Sequence, residues 1–351
     1  MKKKKLKLKK QTLYLMIGSI LIIGGGVIAG FLIFNKKPAN KKEEINPPES
    51  YVPSEVKVVD TSSTSRPYAV MINNHPSARA HHTGLQDALV TYEIIVEGGL
   101  TRYIAIYKDQ NTAKIGSVRS ARHYFLDYAF EHDAYYVHWG WSPLAESDIK
   151  NLRVNNINGL TYEGSYFYRD NSLNVDYEHR GFTNMEQLNK AVAKLGYRTE
   201  TNKDLLFQYS ADAVDFSSIE NKQSATEVSV KYSNAVTSSY VYDENAKVYK
   251  RSVNGISHSD DVSKKQYIYK NIITYQVANN SVDSYGRQDI NNIGSGSGYY
   301  ITEGIAVPIT WEKTKRDGQT IYKYANGERI VLNDGNTFIQ IQPKGQTLNI
   351  K

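Results

Sequence analysis

The sequence predicts an α+β protein: an N-terminal α/β domain with a mixed sheet over residues 66–210, then a mostly antiparallel β-rich C-terminal domain over residues 226–351. Three observations predict it. Between 66 and 210, apolar β-branched runs alternate with helix-start signals, the pattern of helices packed on a sheet. From Thr226 onward, short β-like runs are punctuated by the turn signals Asn254-Gly255, Asp317-Gly318, Asn326-Gly327 and Asp334-Gly335, the last three at hairpin spacing. Finally, 28 tyrosines stand against 9 Phe and 3 Trp. A tyrosine joins an apolar ring to a polar tip and suits β-rich folds and wet surfaces; strand and core filling accounts for most of these.

The chain opens on a lysine-rich segment, residues 1–11, followed by an apolar run without charge, residues 12–34. As a helix the run reaches about 34 Å, enough to cross the hydrocarbon of a bilayer. A cleaved signal peptide is the rival reading. Its apolar core is usually shorter and ends in small residues, whereas this run ends in Phe31, Ile33 and Phe34 with lysines following. The expectation is an uncleaved single-pass anchor. Seven lysines precede the run and Lys36, Lys37, Lys41 and Lys42 follow it, so the N-terminus is expected in the cytoplasm and the body outside, as in a Gram-positive cell. Residues 35–65 contain Pro38, Pro47, Pro48 and Pro53 among polar residues and read as an extracellular linker.

The net charge of +7 invites a nucleic-acid reading, but its distribution removes it. Residues 1–42 hold 11 lysines and no acidic residue, leaving 32 basic against 36 acidic residues in the remainder. The chain has no cysteine. That excludes disulfides, thiolate zinc sites, a cysteine nucleophile and an acylated lipoprotein cysteine.

Within the first domain, residues 67–73 read as a buried strand, with further strand-like sequence over 85–97 and 103–107. Residues 117–130 read as a helix with Ser117 as N-cap. Residues 134–138 return to strand. Ser142-Pro143 opens a helix with serine as cap and proline first. Thr183-Asn184-Met185-Glu186 is a capping-box pattern for a helix reaching about Leu195. Residues 211–225 are polar and mark a boundary. Gly294-Ser295-Gly296-Ser297-Gly298 lacks the ending of a phosphate loop and reads as a flexible hairpin or linker.

Candidate chemistry gathers between Tyr92 and Trp141. Glu93, Glu97, Arg102, Arg119, Arg122, His123 and His138 lie there, with His179 further on, and seven of the eight histidines fall between His75 and His179. Glu97 precedes Gly98-Gly99, which places an acid at a strand end beside a tight turn. It suits general acid–base chemistry, or an ion pair with Arg102 or Arg119 that holds the loop. Arg119 and Arg122, in the first turn of the expected helix, oppose its dipole, so they need a bound anion or an acid such as Glu97. His138 beside Trp139 and Trp141 suits acid–base work with stacking on a sugar or aromatic group; the alternative is a hydrogen-bonded core histidine. His75 and His81-His82 read as solvated loop residues, in no metal-ligand spacing, and Glu178-His179-Arg180 as mainly structural. No motif calls for a metal or cofactor, and no nucleophile elbow occurs.

Several of these runs resemble one family. They are Arg66-Pro67-Tyr68-Ala69-Val70-Met71-Ile72-Asn73-Asn74, Tyr92-Glu93, Val96-Glu97-Gly98-Gly99-Leu100-Thr101-Arg102, Ile115-Gly116-Ser117-Val118-Arg119-Ser120-Ala121-Arg122 and His138-Trp139-Gly140-Trp141-Ser142-Pro143. Tyr249-Lys250-Arg251, Lys270-Asn271-Ile272-Ile273, Pro308-Ile309-Thr310-Trp311-Glu312-Lys313 and Asn326-Gly327-Glu328 extend the match. Together, over about residues 66–345, the chain resembles the YerB-like family of bacterial envelope lipoproteins. The resemblance implies a two-domain extracytoplasmic protein tethered to the membrane and implies no particular activity. The chain departs from the lipoprotein pattern in having no cysteine, with the apolar run in its place.

The expectation is a membrane-anchored envelope protein whose N-terminal domain binds, and in a stronger form cleaves, a cell-wall glycan or its anionic polymer. Glu97 would then be the acid–base residue with His138 assisting, while Arg102, Arg119, Arg122, Trp139 and Trp141 hold the ligand. The alternative is a non-enzymatic scaffold or assembly factor with an internal ion-pair network and a protein partner. A weaker third idea is sensing of a small anion at the Ser117 helix start.

Overall fold

The computed structural model describes residues 55–351. The lysine-rich segment, the apolar run 12–34 and the start of the linker lie outside the described residues, among which no helix is long and apolar enough to cross a membrane. The linker expected through residue 65 becomes part of the body early. Val56, Val58 and Val59 pack on the core, and the Lys57 and Val58 N–H groups donate to the Asp334 carboxylate at 3.0 and 2.8 Å.

The fold is strand-rich, with one mixed sheet, several antiparallel companions and a two-stranded parallel pair, Gln208–Ser210 with Val331–Asn333. Six strands of the first half are β1 (Tyr68–Asn73), β2 (Val90–Ile95), β3 (Thr101–Tyr107), β4 (Ile115–Gly116), β5 (Tyr135–His138) and β6 (Asn156–Asn158). The central sheet has 11 strands and draws on both halves of the chain. In order it runs Gln223–Ser224, Ile305–Lys313, Gly294–Thr302, Asn271–Val277, Thr337–Pro343, β2, β3, β1, β5 and β6, with Ile321–Tyr324 branching from Ile305–Lys313. Thr337–Pro343 is the splice: it lies parallel to β2 on one side and to Asn271–Val277 on the other. Every residue of β1, β2, β3 and Thr337–Pro343 is buried, as expected for strands covered on both faces.

Alternation along β2 sorts its neighbours. Tyr92 packs against Tyr128 of the helix Leu126–Glu131, with ring centroids 4.9 Å apart and the rings tilted by 39°. Glu93 points the other way, toward a six-stranded antiparallel sheet containing Glu227–Lys231, Thr237–Asp243 and Val248–Val253. These strands alternate buried with more exposed residues, so one face packs and the other meets solvent. Tyrosines fill the interface: Tyr103, Tyr232, Tyr240 and Tyr249 are all fully enclosed.

Three local expectations change. Residues 117–122 are extended rather than helical, and helix begins only at His123. The backbone of 117–122 is claimed by distant partners: Arg119 N–H donates to Met71 O (2.9 Å), Val118 N–H to Gly181 O (2.8 Å) and Ala121 N–H to Gly140 O (2.9 Å). The Gly294–Gly298 run is no linker but part of a hairpin: it starts the nine-residue strand Gly294–Thr302, which pairs with Ile305–Lys313. Glycine is needed there for close approach, since a Cβ at Gly296 would lie 2.8 Å from the Trp311 indole nitrogen. The helix Met185–Leu195 forms, but Asn184 rather than Thr183 caps it, accepting from Gln187 N–H at 2.8 Å. The helix Pro143–Asn151 is capped by Ser142 as expected.

Candidate functional site

The site sits at one edge of the central sheet. β1, β5 and β6 are parallel, and β2 runs the same way because β3 pairs antiparallel with both β1 and β2. Their carboxyl ends therefore share an edge, the usual place for a binding crevice in an open sheet. The β2–β3 turn there carries Glu97, and Gly98 and Gly99 take φ of +66° and +69°, left-handed values that favour glycine. The extended segment 117–122 crosses the ends of β1 and β5, locked by Asn73 N–H to Ser117 O (2.9 Å) and Trp139 N–H to Arg119 O (3.0 Å).

These elements enclose a polar cleft of about 430 Å³, lined in part by Glu97, Arg102, Arg119, Arg122, Trp141 and Glu178. His75, His179, Tyr285 and Arg287 also line it. Arg119 and Arg122 reach it from extended chain, not from a shared helix face. Glu97 does not stand free. Arg122 grips it with Nε and Nη2 donating to its two oxygens at 2.5 and 2.8 Å, and Arg102 Nη2 lies 3.8 Å from Oε2. Burial alone would raise its pKa, but the Arg122 hydrogen bonds and charge, with Arg102 behind, hold it below the usual carboxylate value. Glu97 is thus an ionised acceptor at neutral pH, unsuited to donating a proton.

Each arginine is tethered on one side. Arg102 Nη1 donates to Ser120 O at 2.9 Å, Arg119 Nη2 to Glu178 Oε1 at 2.8 Å, and Arg287 Nη1 to Asp283 Oδ2 at 2.6 Å. Four arginines line the cleft against Glu97 and Glu178, and Asp283 offsets Arg287 from behind, so one positive charge is in surplus. Burial, then the charge of Arg122, pushes the Arg102 pKa down to about 9. It remains a cation at neutral pH, but one whose charge an arriving anion would stabilise.

His138 is not in this cleft. It is fully buried, its Nδ1 bonded to Gly140 O at 2.8 Å and its Nε2 to Asn156 Oδ1 at 3.1 Å. Burial lowers its pKa, and with both ring nitrogens engaged within the fold it supports the turn rather than assisting a reaction. Trp139 is buried as well, while Trp141 reaches the cleft.

Of the histidines expected in solvated loops, His81 is half-buried beside the Asp261 carboxylate (3.1 Å) and His75 is half-buried, while His82 is part of a buried chain. Arg251 Nη1–H donates to His258 Nδ1 (2.6 Å), which leaves His258 Nε2–H to donate to His82 Nδ1 (2.8 Å). His82 Nε2–H then donates to Asn73 O at the end of β1. The Asn73 side chain accepts from His75 N–H (3.0 Å) and gives its Nδ2–H to His179 Nδ1 (2.8 Å), so His179 carries its proton on Nε2. His75 and His179 stack at 4.5 Å. At the other end, Arg251 Nη2 donates to Glu93 Oε2 at 2.8 Å, with both side chains wholly enclosed. His82, His179 and Glu178 had only weak signals in the sequence. Tyr285 and Arg287 had none, because a hairpin of the second half carries them in.

Comparisons with known proteins agree with this architecture. Residues 54–198 match the model described as protein of unknown function (DUF3048) N-terminal domain, and residues 228–339 match the DUF3048 C-terminal domain. The chain is 34% identical over 283 residues to the Bacillus subtilis (strain 168) protein named "Putative lipoprotein YerB", covering 79% of this chain and 81% of that protein. It is also similar to the crystal structure of YerB protein from Bacillus subtilis, with a TM-score of 0.70 and 30% identity, covering 81% of this chain and 94% of that one. The chain therefore belongs to the DUF3048 family, YerB-like proteins of unknown function with an N-terminal and a C-terminal family domain.

Proposed function

We propose that this protein is a membrane-anchored, extracytoplasmic envelope protein whose cleft binds an anionic cell-wall polymer. The arginine-lined cleft carries the reading. Arg102, Arg119, Arg122 and Arg287 converge on it, one positive charge is unmatched, and Arg102 is held as a buried cation. Guanidinium groups of fixed geometry suit phosphate and carboxylate oxygens. The location is supported by the lysine-flanked run 12–34 and by similarity to a protein named as a lipoprotein. This chain has no cysteine to acylate, which leaves the apolar run as its single-pass anchor, with the body outside.

Binding is favoured over cleavage. A general acid needs a raised pKa, whereas the Glu97 carboxylate is held ionised by Arg122. The scaffold reading draws on the same Glu97–Arg122 pair, taken as purely structural, with an envelope protein as partner.

Co-sedimentation of the full-length chain, in detergent, with purified cell walls separates them. Retention on intact walls is expected to fall when the anionic polymer is stripped, to weaken with salt, and to fall at least tenfold in Arg287→Glu. Equal retention on intact and stripped walls, or an unaffected Arg287→Glu variant, rejects the polymer-binding reading.

A further inference from the structure

The arginine cleft is not the only cavity at this edge. A second, of about 330 Å³, opens beside it and is lined by Trp139, Trp141, Leu160, Arg169 and Tyr177. Arg119, Ser120, Trp141 and Glu178 line both, so the two are lobes of one depression divided by a shared wall.

The lobes differ in chemistry. The first is cationic. In the second, Arg169 is spent on structure: its Nε donates to Glu163 Oε1 at 2.9 Å and its Nη1 to Tyr177 O at 2.7 Å. Its guanidinium lies over both the Trp139 ring, at 4.3 Å, and the Tyr177 ring, at 3.7 Å. Trp139 is fixed as a wall, since a Cβ on Gly159 or Gly181 would come within 2.5 or 2.6 Å of its ring. Glycine at both positions lets the backbone press against the indole. Leu160 and Tyr177 are each 61% exposed at the rim of this small lobe. An aromatic pocket with Ser120 and Glu178 at its edge matches a sugar ring, which has an apolar face of C–H groups and a rim of hydroxyls.

We propose that the two lobes together read one glycosyl phosphate unit, the phosphate held by the arginine lobe and the sugar ring resting on Trp141 in the aromatic lobe. This rests on the anionic-polymer reading and narrows it. A carboxylated sugar would carry charge and ring in one residue. A glycosyl phosphate carries them on adjacent groups, as the lobes require, and a phosphodiester supplies one negative charge against the one unmatched positive charge.

Calorimetric titration of the full-length chain in detergent with a hexose 1-phosphate, glycerol 3-phosphate, inorganic phosphate and the free hexose tests it. The hexose phosphate is expected to bind at least tenfold more tightly than glycerol phosphate. Trp141→Ala should abolish that preference while retaining glycerol phosphate binding; Trp141→Phe, which keeps a ring face, should retain most of it. Arg287→Ala should weaken both phosphates by a similar factor. Equal affinity of the wild-type chain for the two phosphates, or a preference that survives Trp141→Ala, overturns the two-lobe assignment and leaves the anion-binding reading standing. Binding of the free hexose without either phosphate overturns both.

Discussion

Glu93 and Glu97 lie four residues apart, on and just beyond β2, and each faces a guanidinium. Glu93 meets Arg251 with both side chains wholly enclosed. Its oxygens also accept from Ser238 Oγ (2.7 Å), Thr101 Oγ1 (2.7 Å) and Gln340 Nε2 (3.1 Å). Glu97 meets Arg122 at the wall of an open cleft, with Arg102 in a looser ion pair at 3.8 Å. The first pair is saturated from within and joins the two halves of the chain across the interface of two sheets. The second leaves a cationic surround with surplus charge. The same residue types thus serve cohesion where every lone pair has a partner, and leave an open cationic surface where donors outnumber acceptors.

Breaking the enclosed pair should have the largest effect. Arg251→Met strands the Glu93 carboxylate in the core and removes the donor to His258. Loss of one partner of a buried pair costs about 3–5 kcal/mol, so urea unfolding should shift by that amount; a shift below 1 kcal/mol would show that the pair contributes little to cohesion.

Acid probes the same core more gently. Burial, ahead of any neighbouring charge, holds His82 down to about 3 and His258 well below the usual imidazole value. Between about 6.5 and 3 the unfolded chain takes up a proton at His82 that the folded chain refuses. Stability therefore falls as pH drops through that interval. By pH 5 His82 alone should remove about 2 kcal/mol relative to pH 7.5. Unfolding midpoints measured across this range should decline, and less steeply in His82→Gln; a flat profile would mean the buried imidazoles are protonated in the fold.

Glu97→Gln sharpens the contrast. Arg122 keeps a neutral acceptor, so the stability loss should be about 1 kcal/mol, while removal of a negative charge from the cleft should tighten inorganic phosphate binding in a calorimetric titration. Weaker phosphate binding would show that Glu97 positions Arg122 more than it opposes the ligand. Arg287→Ala should have the smallest effect on folding: an unchanged unfolding midpoint with reduced wall retention would mark Arg287 as a binding residue, and a lowered midpoint would mark it as structural.

Elements whose partners are local were legible in the residues. Ser142-Pro143 starts its helix because cap and first turn are adjacent. Asn254-Gly255, read as a turn, turns through φ of +51° and +77° and joins Val253 to Ile256; Asp334-Gly335, at hairpin spacing, instead links Val331–Asn333 to Thr337–Pro343, which pair with other strands. Glu97, Arg102, Arg119, Arg122 and Trp141 were all readable as candidates and all line the cleft, because strand ends and glycine turns are where charged residues collect. What failed depended on distant contacts. The backbone donors of residues 117–122 go to Met71, Gly181 and Gly140, and no local pattern announces that. His82 reads as a loop residue until His258 arrives from the second half to enclose it.

The order of residues by itself therefore determined the buried strand at 67–73, the helices opening after Ser142 and near Thr183, and the stretch in which charge gathers, since each follows from interactions within a few residues. Only the tertiary structure decided which acid is buried and which lines the cleft. It also decided that His138 supports a turn, and that Arg287 and Tyr285 complete the site. Burial and charge pairing are set by what packs from far along the chain: Thr337–Pro343 beside β2, and Arg251 above Glu93.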